Sequence, residues 1–266
     1  MPPRLTAQDF DQELLVLFDA YVHGGLDRRG FLDKAQKFAK AGITAAGLLA
    51  ALSPNFAAGQ QVRQDDPRLS TERVSYPSPD GSGSVKGYLA RPAGSAGNKL
   101  PAILVVHENR GLNPHIEDIA RRLALDGFMA FAPDGLTVAG GYPGDEDKAR
   151  EAFAKLDGAK MLQDFVAAAN WLKARNDGTG KLGVVGFCYG GGVAHQLAIR
   201  LPDLAASVPF YGNVPAPADA GKVKAPMLVH LAGIDERINA AWPAYEAGLK
   251  SAGVRLTVHQ YAGTQH

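Results

Sequence analysis

The chain has one cysteine in 266 residues. It can close no internal disulfide and can build no cysteine-rich metal site. Charge of neither sign is in excess: 28 Lys and Arg stand against 27 Asp and Glu, a net charge of +1. A nucleic-acid binder would instead show a basic surplus gathered on one face, so no nucleic-acid partner is expected. No apolar run reaches the ~20 residues that span a bilayer. Gly 31 and Pro 17 are too few for a collagen-like or disordered chain. There is no repeat and no low-complexity tract. Neither a G-x-G-x-x-G after a strand nor a G-x-x-x-x-G-K is present, which removes the usual dinucleotide and phosphate loops, and no cofactor is implied. What remains is an ordinary globular composition, 46% hydrophobic and 21% charged. At ~150 residues per domain, the length fits one large domain or two small ones.

Residues 1–60 read differently from residues 61–266. Phe10, Leu14, Leu15, Leu17, Phe18 and Tyr21 recur at helical spacing and predict an amphipathic helix. Asp27-Arg28-Arg29-Gly30-Phe31-Leu32-Asp33 follows, then an apolar stretch over 41–52, then Asn55-Phe56-Ala57-Ala58-Gly59. Paired arginines, Phe-Leu, an uncharged segment and small residues resemble a twin-arginine export signal. Asp27 and Asp33 depart from that pattern, and a helical arm retained on a cytoplasmic protein is the other reading. Periplasmic and cytoplasmic locations both stand.

From about residue 70, strands and helices alternate. Residues 84–90 alternate polar and apolar and predict an edge strand. Residues 102–106 are continuously apolar, as a strand buried on both faces should be. Further strands are expected at 128–132, 182–186, 206–210, 227–231 and 256–261. Helices are expected at 116–125, 161–174, 193–199 and about 241–251. The pattern predicts an α/β fold, a mostly parallel sheet flanked by helices, with reactive groups on loops at the C-terminal ends of strands.

One of those ends reads Gly186-Phe187-Cys188-Tyr189-Gly190-Gly191-Gly192. This is G-x-C-x-G, the cysteine form of a nucleophile elbow. A tight strand-to-helix turn leaves no room for side chains two residues before and after the nucleophile. The helix that follows favours the thiolate, and the Tyr189 N–H would point at a developing oxyanion. The bland alternative is a small buried cysteine beside a glycine-rich turn. A cysteine nucleophile needs a base and an orienting acid, in the order nucleophile, acid, histidine. His195 falls within a helix and His230 and His259 within strands, where packing roles are expected. His266 follows the last strand through Tyr261-Ala262-Gly263-Thr264-Gln265 and is the candidate base. Asp235 follows the 227–231 strand through Ala232-Gly233-Ile234 and is the candidate acid; Glu236 is adjacent, and position alone does not separate the two.

The elbow, together with Val105-Val106-His107-Glu108-Asn109-Arg110-Gly111-Leu112, Ala132-Pro133-Asp134, Gly233-Ile234-Asp235 and Tyr261-Ala262-Gly263-Thr264-Gln265-His266, resembles the dienelactone hydrolase family of α/β-hydrolases over about residues 70–266. Gly140-Gly141-Tyr142-Pro143-Gly144 and residues 239–246 resemble a subgroup with a helical N-terminal extension. The resemblance implies an α/β-hydrolase fold and a hydrolase that cleaves a small ester or lactone through a Cys-Asp-His triad, with no cofactor and no metal. It makes Cys188 the nucleophile, Asp235 the acid and His266 the base. Glu108 matches a carboxylate that meets the resting thiol and swings away when substrate binds; a surface salt bridge with Arg110 is its plainer role. Asn109 would add a second oxyanion N–H from its backbone. H-E-x-x-H is missing at His107-Glu108, since Gly111 follows Arg110. Family members acting on dienelactone carry an arginine after the matching Pro-Asp. Here that loop reads Gly135-Leu136-Thr137-Val138-Ala139, so Arg110 or Arg237 would have to supply the charge on a substrate carboxylate. The resemblance further implies a loop and a final helix beyond the histidine, whereas the sequence stops at His266. The expectation is therefore a hydrolase body lacking its last helix, part of a longer product. The competing class is a non-catalytic α/β-hydrolase-fold binding protein with a degraded site.

Overall fold

A computed structural model describes Thr6, residues 9–39 and residues 42–266. The first residues of the 1–60 extension and Ala41, which opens its apolar stretch, lie outside the described residues. The chain forms two compact units, one running to Gly59 and including Gln265–His266, the other Gln60–Thr264.

The first unit holds α1 (Gln12–Val22), α2 (Arg28–Ala35), α3 (Ala45–Leu52) and the single turn α4 (Phe56–Gly59). Each longer helix starts on a side-chain cap that satisfies an orphan N–H. Asp11 accepts from Glu13, Asp27 from Gly30 and Thr44 from Gly47. Arg28 and Arg29 therefore occupy the first turn of a helix capped by Asp27. Leu14, Tyr21, Phe31, Ala35, Leu48 and Leu49 make a small core, with Phe10, Leu17 and Phe18 packed against it. Among the described residues, no helix is long and apolar enough to cross a membrane.

The second unit runs β1 (Leu69–Ser78), β2 (Gly83–Pro92), β3 (Leu100–Val106), α5 (Pro114–Leu125), β4 (Met129–Pro133), α6 (Glu146–Phe153), α7 (Gly158–Lys173), β5 (Gly178–Phe187), α8 (Tyr189–Arg200), β6 (Ala206–Phe210), β7 (Met227–Ala232), α9 (Glu236–Ser251) and β8 (Leu256–Tyr261). The eight strands form one sheet in the order β1-β2-β4-β3-β5-β6-β7-β8. Pairing is antiparallel from β1 to β2 to β4 and parallel from β4 through β8. One face carries α5, whose Ile116, Ala120 and Ala124 pack on Tyr88, Val105, Ala130 and Ala132. The larger core on the other face takes Phe165 and Leu172 from α7, Val193 and Leu197 from α8, and Trp242 and Leu249 from α9. Burial on both faces is why β3 and β4 read as unbroken apolar runs.

Three sequence expectations are corrected, and one strand is added. The alternating strand expected at the edge is β2, which lies inside the sheet because β1 pairs along its outer side. Strand β1 is the added one: Tyr76 and Ser78 are its fully buried residues, and Leu69, Val74 and Tyr76 do not alternate regularly enough to give a strand signal. Helix α9 begins at Glu236 rather than near 241, because Asp235 caps it; Pro243 lies inside it. Helix α8 begins at Tyr189, directly on the elbow. At the far edge, β8 leaves Thr257, His259, Gln260 and Tyr261 exposed.

Candidate active site

The site assembles from strand ends at the C-terminal rim of the parallel sheet. Cys188 joins β5 to α8 at φ +53° and ψ −111°, a backbone setting that non-glycine residues rarely hold. Its N–H donates to the Phe210 carbonyl at 3.1 Å, which fastens the turn to the end of β6. The glycines answer to backbone contacts. A Cβ on Gly186 would lie 2.0 Å from the Gly190 oxygen. One on Gly190 would lie 2.3 Å from the Val106 oxygen, and one on Gly191 2.3 Å from the Phe210 oxygen. The elbow thus requires glycine on both sides of Cys188 so that α8 can close onto β3 and β6. Tyr189 opens α8, so its N–H has no intrahelical acceptor. Its ring packs among His107, Phe153 and Phe165, and burial holds its phenol well above the usual range.

Residues 107–110 follow β3. His107 is fully buried; Gly135 donates its N–H to Nε2 at 2.9 Å. Nδ1 therefore carries the proton and donates to the Glu108 carbonyl at 2.6 Å. Burial pushes its pKa down. A neutral ring with both nitrogens occupied ties the Glu108 loop to the loop after β4, and this disposes of His107 as a metal ligand. Arg110 is nearly buried, donates to the Asn109 side chain and pairs with Glu146 at 3.1 Å. Glu146 in turn accepts from the Tyr142 hydroxyl at 2.8 Å.

Glu108 accepts from the Tyr211 hydroxyl at 3.3 Å. Tyr211 is the residue that sequence reasoning missed. It stands at φ +38°, the only described non-glycine residue besides Cys188 with positive φ, and its N–H donates to the His230 carbonyl at 2.8 Å. Its phenol is raised far above the ordinary value, first by burial and then by the nearby charges of Glu108 and Cys188. Cys188, Glu108 and Tyr211 therefore share one neighbourhood. The only sequence signal was an aromatic pair before Gly212 at a strand end.

Asp235 is buried at the start of α9 and accepts from the Ile238 N–H at 3.2 Å. Glu236 beside it is exposed. Arg237, also exposed, donates to the Asn213 side chain. The turn after β7 is stapled to the turn after β8: Gly233 N–H donates to the Tyr261 carbonyl and Ile234 N–H to the Thr264 carbonyl, each at 2.9 Å. His266 groups with the first unit. The other histidines sit as expected. His195 is buried in α8, its pKa driven down to about 3 by burial. His230 and His259 stack on adjacent strands, ring centres 5.6 Å apart.

A cysteine on a strand–turn–helix elbow at the C-terminal rim of such a sheet defines an α/β-hydrolase. The comparisons narrow this. The dienelactone hydrolase family model matches residues 85–266, and a YqhI-like model matches residues 1–40. A protein assigned as hydrolase fragment YghX of Escherichia coli strain K12 is 54% identical over 115 residues, 43% of this chain and 97% of that one. A protein of Escherichia coli O157:H7 assigned as a carboxymethylenebutenolidase is 30% identical over 203 residues, 71% of this chain and 74% of the relative. Among solved structures, the dienelactone hydrolase-like promiscuous phosphotriesterase P91 from metagenomic libraries matches with a TM-score of 0.62 at 27% identity, covering 73% of this chain and 82% of that one. The chain belongs to the dienelactone hydrolase family, and it is a carboxylic ester or lactone hydrolase acting on a small molecule.

Proposed function

We propose that Cys188 is the nucleophile of this hydrolase, with His266 as base and Asp235 as its orienting acid. The observation that carries the reading is the strained elbow: φ +53° at Cys188, with glycines on both sides that backbone contacts demand. His266 takes the Cys188 proton, the thiolate attacks the carbonyl carbon, and the N–H groups of Tyr189 and Asn109 hold the oxyanion. His266 gives a proton to the departing alkoxide. It then takes one from water, which attacks the thioester and releases the acid and the thiol. Buried Asp235 suits the orienting role better than exposed Glu236. Glu108, held by Tyr211, is the carboxylate that restrains the resting thiol. Arg110 is committed to Glu146 and Asn109, which leaves Arg237 as the cation for a substrate carboxylate.

The test is hydrolysis of p-nitrophenyl acetate and a panel of lactones by the full chain, by Cys188→Ala and by Cys188→Ser. Loss of a nucleophile costs about 10³-fold or more in kcat. Equal rates for wild type and Cys188→Ala would overturn the assignment and leave the non-catalytic binding protein.

A further inference from the structure

Asp19, His23 and His266 belong to one unit and form a line of contacts that the chemistry above does not use. His23 ends α1 as its C-cap, its backbone N–H closing on the Asp19 carbonyl. Its ring turns back on the same residue: Nδ1 lies 2.8 Å from the Asp19 carbonyl oxygen and 3.3 Å from Asp19 Oδ1. That carboxylate oxygen is shut off from solvent and makes no hydrogen bond among the described residues, so the imidazole beside it is its counter-group. With Nδ1 engaged by Asp19, the proton of a neutral His23 belongs on Nδ1, and both contacts hold that edge of the ring against the helix end. The helix beneath is anchored in its own core by Leu14 and Tyr21. Against this held ring stands His266, ring centres 4.5 Å apart and planes at 88°, the edge-to-face arrangement that aromatic rings prefer.

We propose that His23 is a positioning residue for His266. The helical N-terminal segment, outside the matched stretch 85–266, then supplies a second imidazole that limits the orientations of the base. The proposal rests on the reading of His266 as base. An imidazole two torsions from the backbone, on a segment with no helix or strand of its own, samples several orientations. Only those with one nitrogen toward the nucleophile and the other toward the acid transfer protons. A rigid ring packed edge-to-face removes some of the unproductive ones before substrate arrives, which affects turnover and not substrate affinity. Asp19 acts one step further back, by fixing His23.

The experiment compares His23→Ala, His23→Phe and Leu48→Ala in the full chain, alongside Cys188→Ala. Readouts are kcat and KM for p-nitrophenyl acetate and the imidazole nitrogen-15 shifts of His266. For His23→Ala the expected result is a fall in kcat of about tenfold with KM within about twofold. Phenylalanine, which keeps the ring contact, should recover most of that loss. Leu48→Ala weakens the helical unit without touching the rings, so it should lower the melting temperature and leave kcat near wild type. The His266 nitrogen shifts should move in His23→Ala and move less in His23→Phe. Two results would overturn the proposal: a kcat for His23→Ala within twofold of wild type, or an equal loss in Leu48→Ala. If His23→Ala fails to fold, His23→Gln replaces it. If Cys188→Ala hydrolyses as fast as wild type, the catalytic reading fails, and unmoved His266 shifts would then be what overturns the positioning role.

Discussion

Tyr211 stands at φ +38°, a setting that costs a non-glycine residue about 1–3 kcal/mol. Its contacts include the N–H donated to the His230 carbonyl of β7 and the hydroxyl donated to Glu108. A phenol raised by burial and by the Glu108 carboxylate stays protonated, so at working pH it keeps the O–H that it donates to Glu108. Tyr211→Phe deletes that donor and keeps the ring. Glu108 then loses its restraint, and kcat/KM should fall by roughly three- to tenfold, the scale of one ordinary hydrogen bond of about 1 kcal/mol. Steady-state kinetics, with iodoacetamide labelling of Cys188 across pH alongside, would check it. At this scale, legibility depended on locality. Cys188 and Asp235 each follow a strand within a few residues of glycines, so short windows exposed them. Tyr211 meets Glu108 only because β5 pairs with β3 on one side and β6 on the other, Val106 opposite Gly186 and Phe187 opposite Phe210, and no window of sequence contains that pairing.

The elements divide the same way. Strands β3 and β4 were readable because burial on both faces writes a continuous apolar run. Strand β1 was not, because Leu69, Val74 and Tyr76 fall out of a two-residue alternation and half of its residues are exposed. That omission also made β2 look like an edge. Helix α9 hid its first turn behind Pro243 and a cap that is itself the candidate acid. The elbow is where pattern and packing agree most closely. Gly191→Ala would drive a methyl to 2.3 Å from the Phe210 oxygen and 2.8 Å from the Gly212 Cα. Backbone cannot yield there as a flexible side chain could, so urea unfolding should show a loss above about 3 kcal/mol. Gly140→Ala is the control: φ is +94° with no atom within 4 Å of the added carbon, so only the backbone cost of about 1 kcal/mol applies. Equal losses at the two positions would refute the packing argument.

For the folded molecule as a whole, His195 sets a pH limit. Its ring is buried between α8 and α9 beside Trp242 and Tyr245, its Nδ1 makes no hydrogen bond among the described residues, and its pKa falls from 6.5 to about 3. Below pH 6.5 the unfolded chain binds a proton that the folded chain refuses until about pH 3. Stability from this group is therefore complete above pH 6.5 and declines as the pH drops through that window, by up to about 1.4 kcal/mol per unit. Denaturant unfolding at pH 7 and pH 5, for wild type and His195→Phe, reads the difference. The variant should lose less stability on acidification, and parallel losses would rule out His195 as the source.

The two margins of the sheet are also unlike one another. Strand β1 carries Glu72, Arg73 and Pro77, which discourage a further strand from adding to it. Strand β8 holds no Asp, Glu, Lys or Arg and exposes Thr257, His259, Gln260 and Tyr261. Such a margin is a template for strand addition from another chain. Light scattering of concentrated protein should show colloidal self-attraction near pH 7.5, relieved by His259→Lys without loss of turnover. The tendency to stick would then reside in one strand's open flank, and a single surface charge would be enough to keep the enzyme in solution.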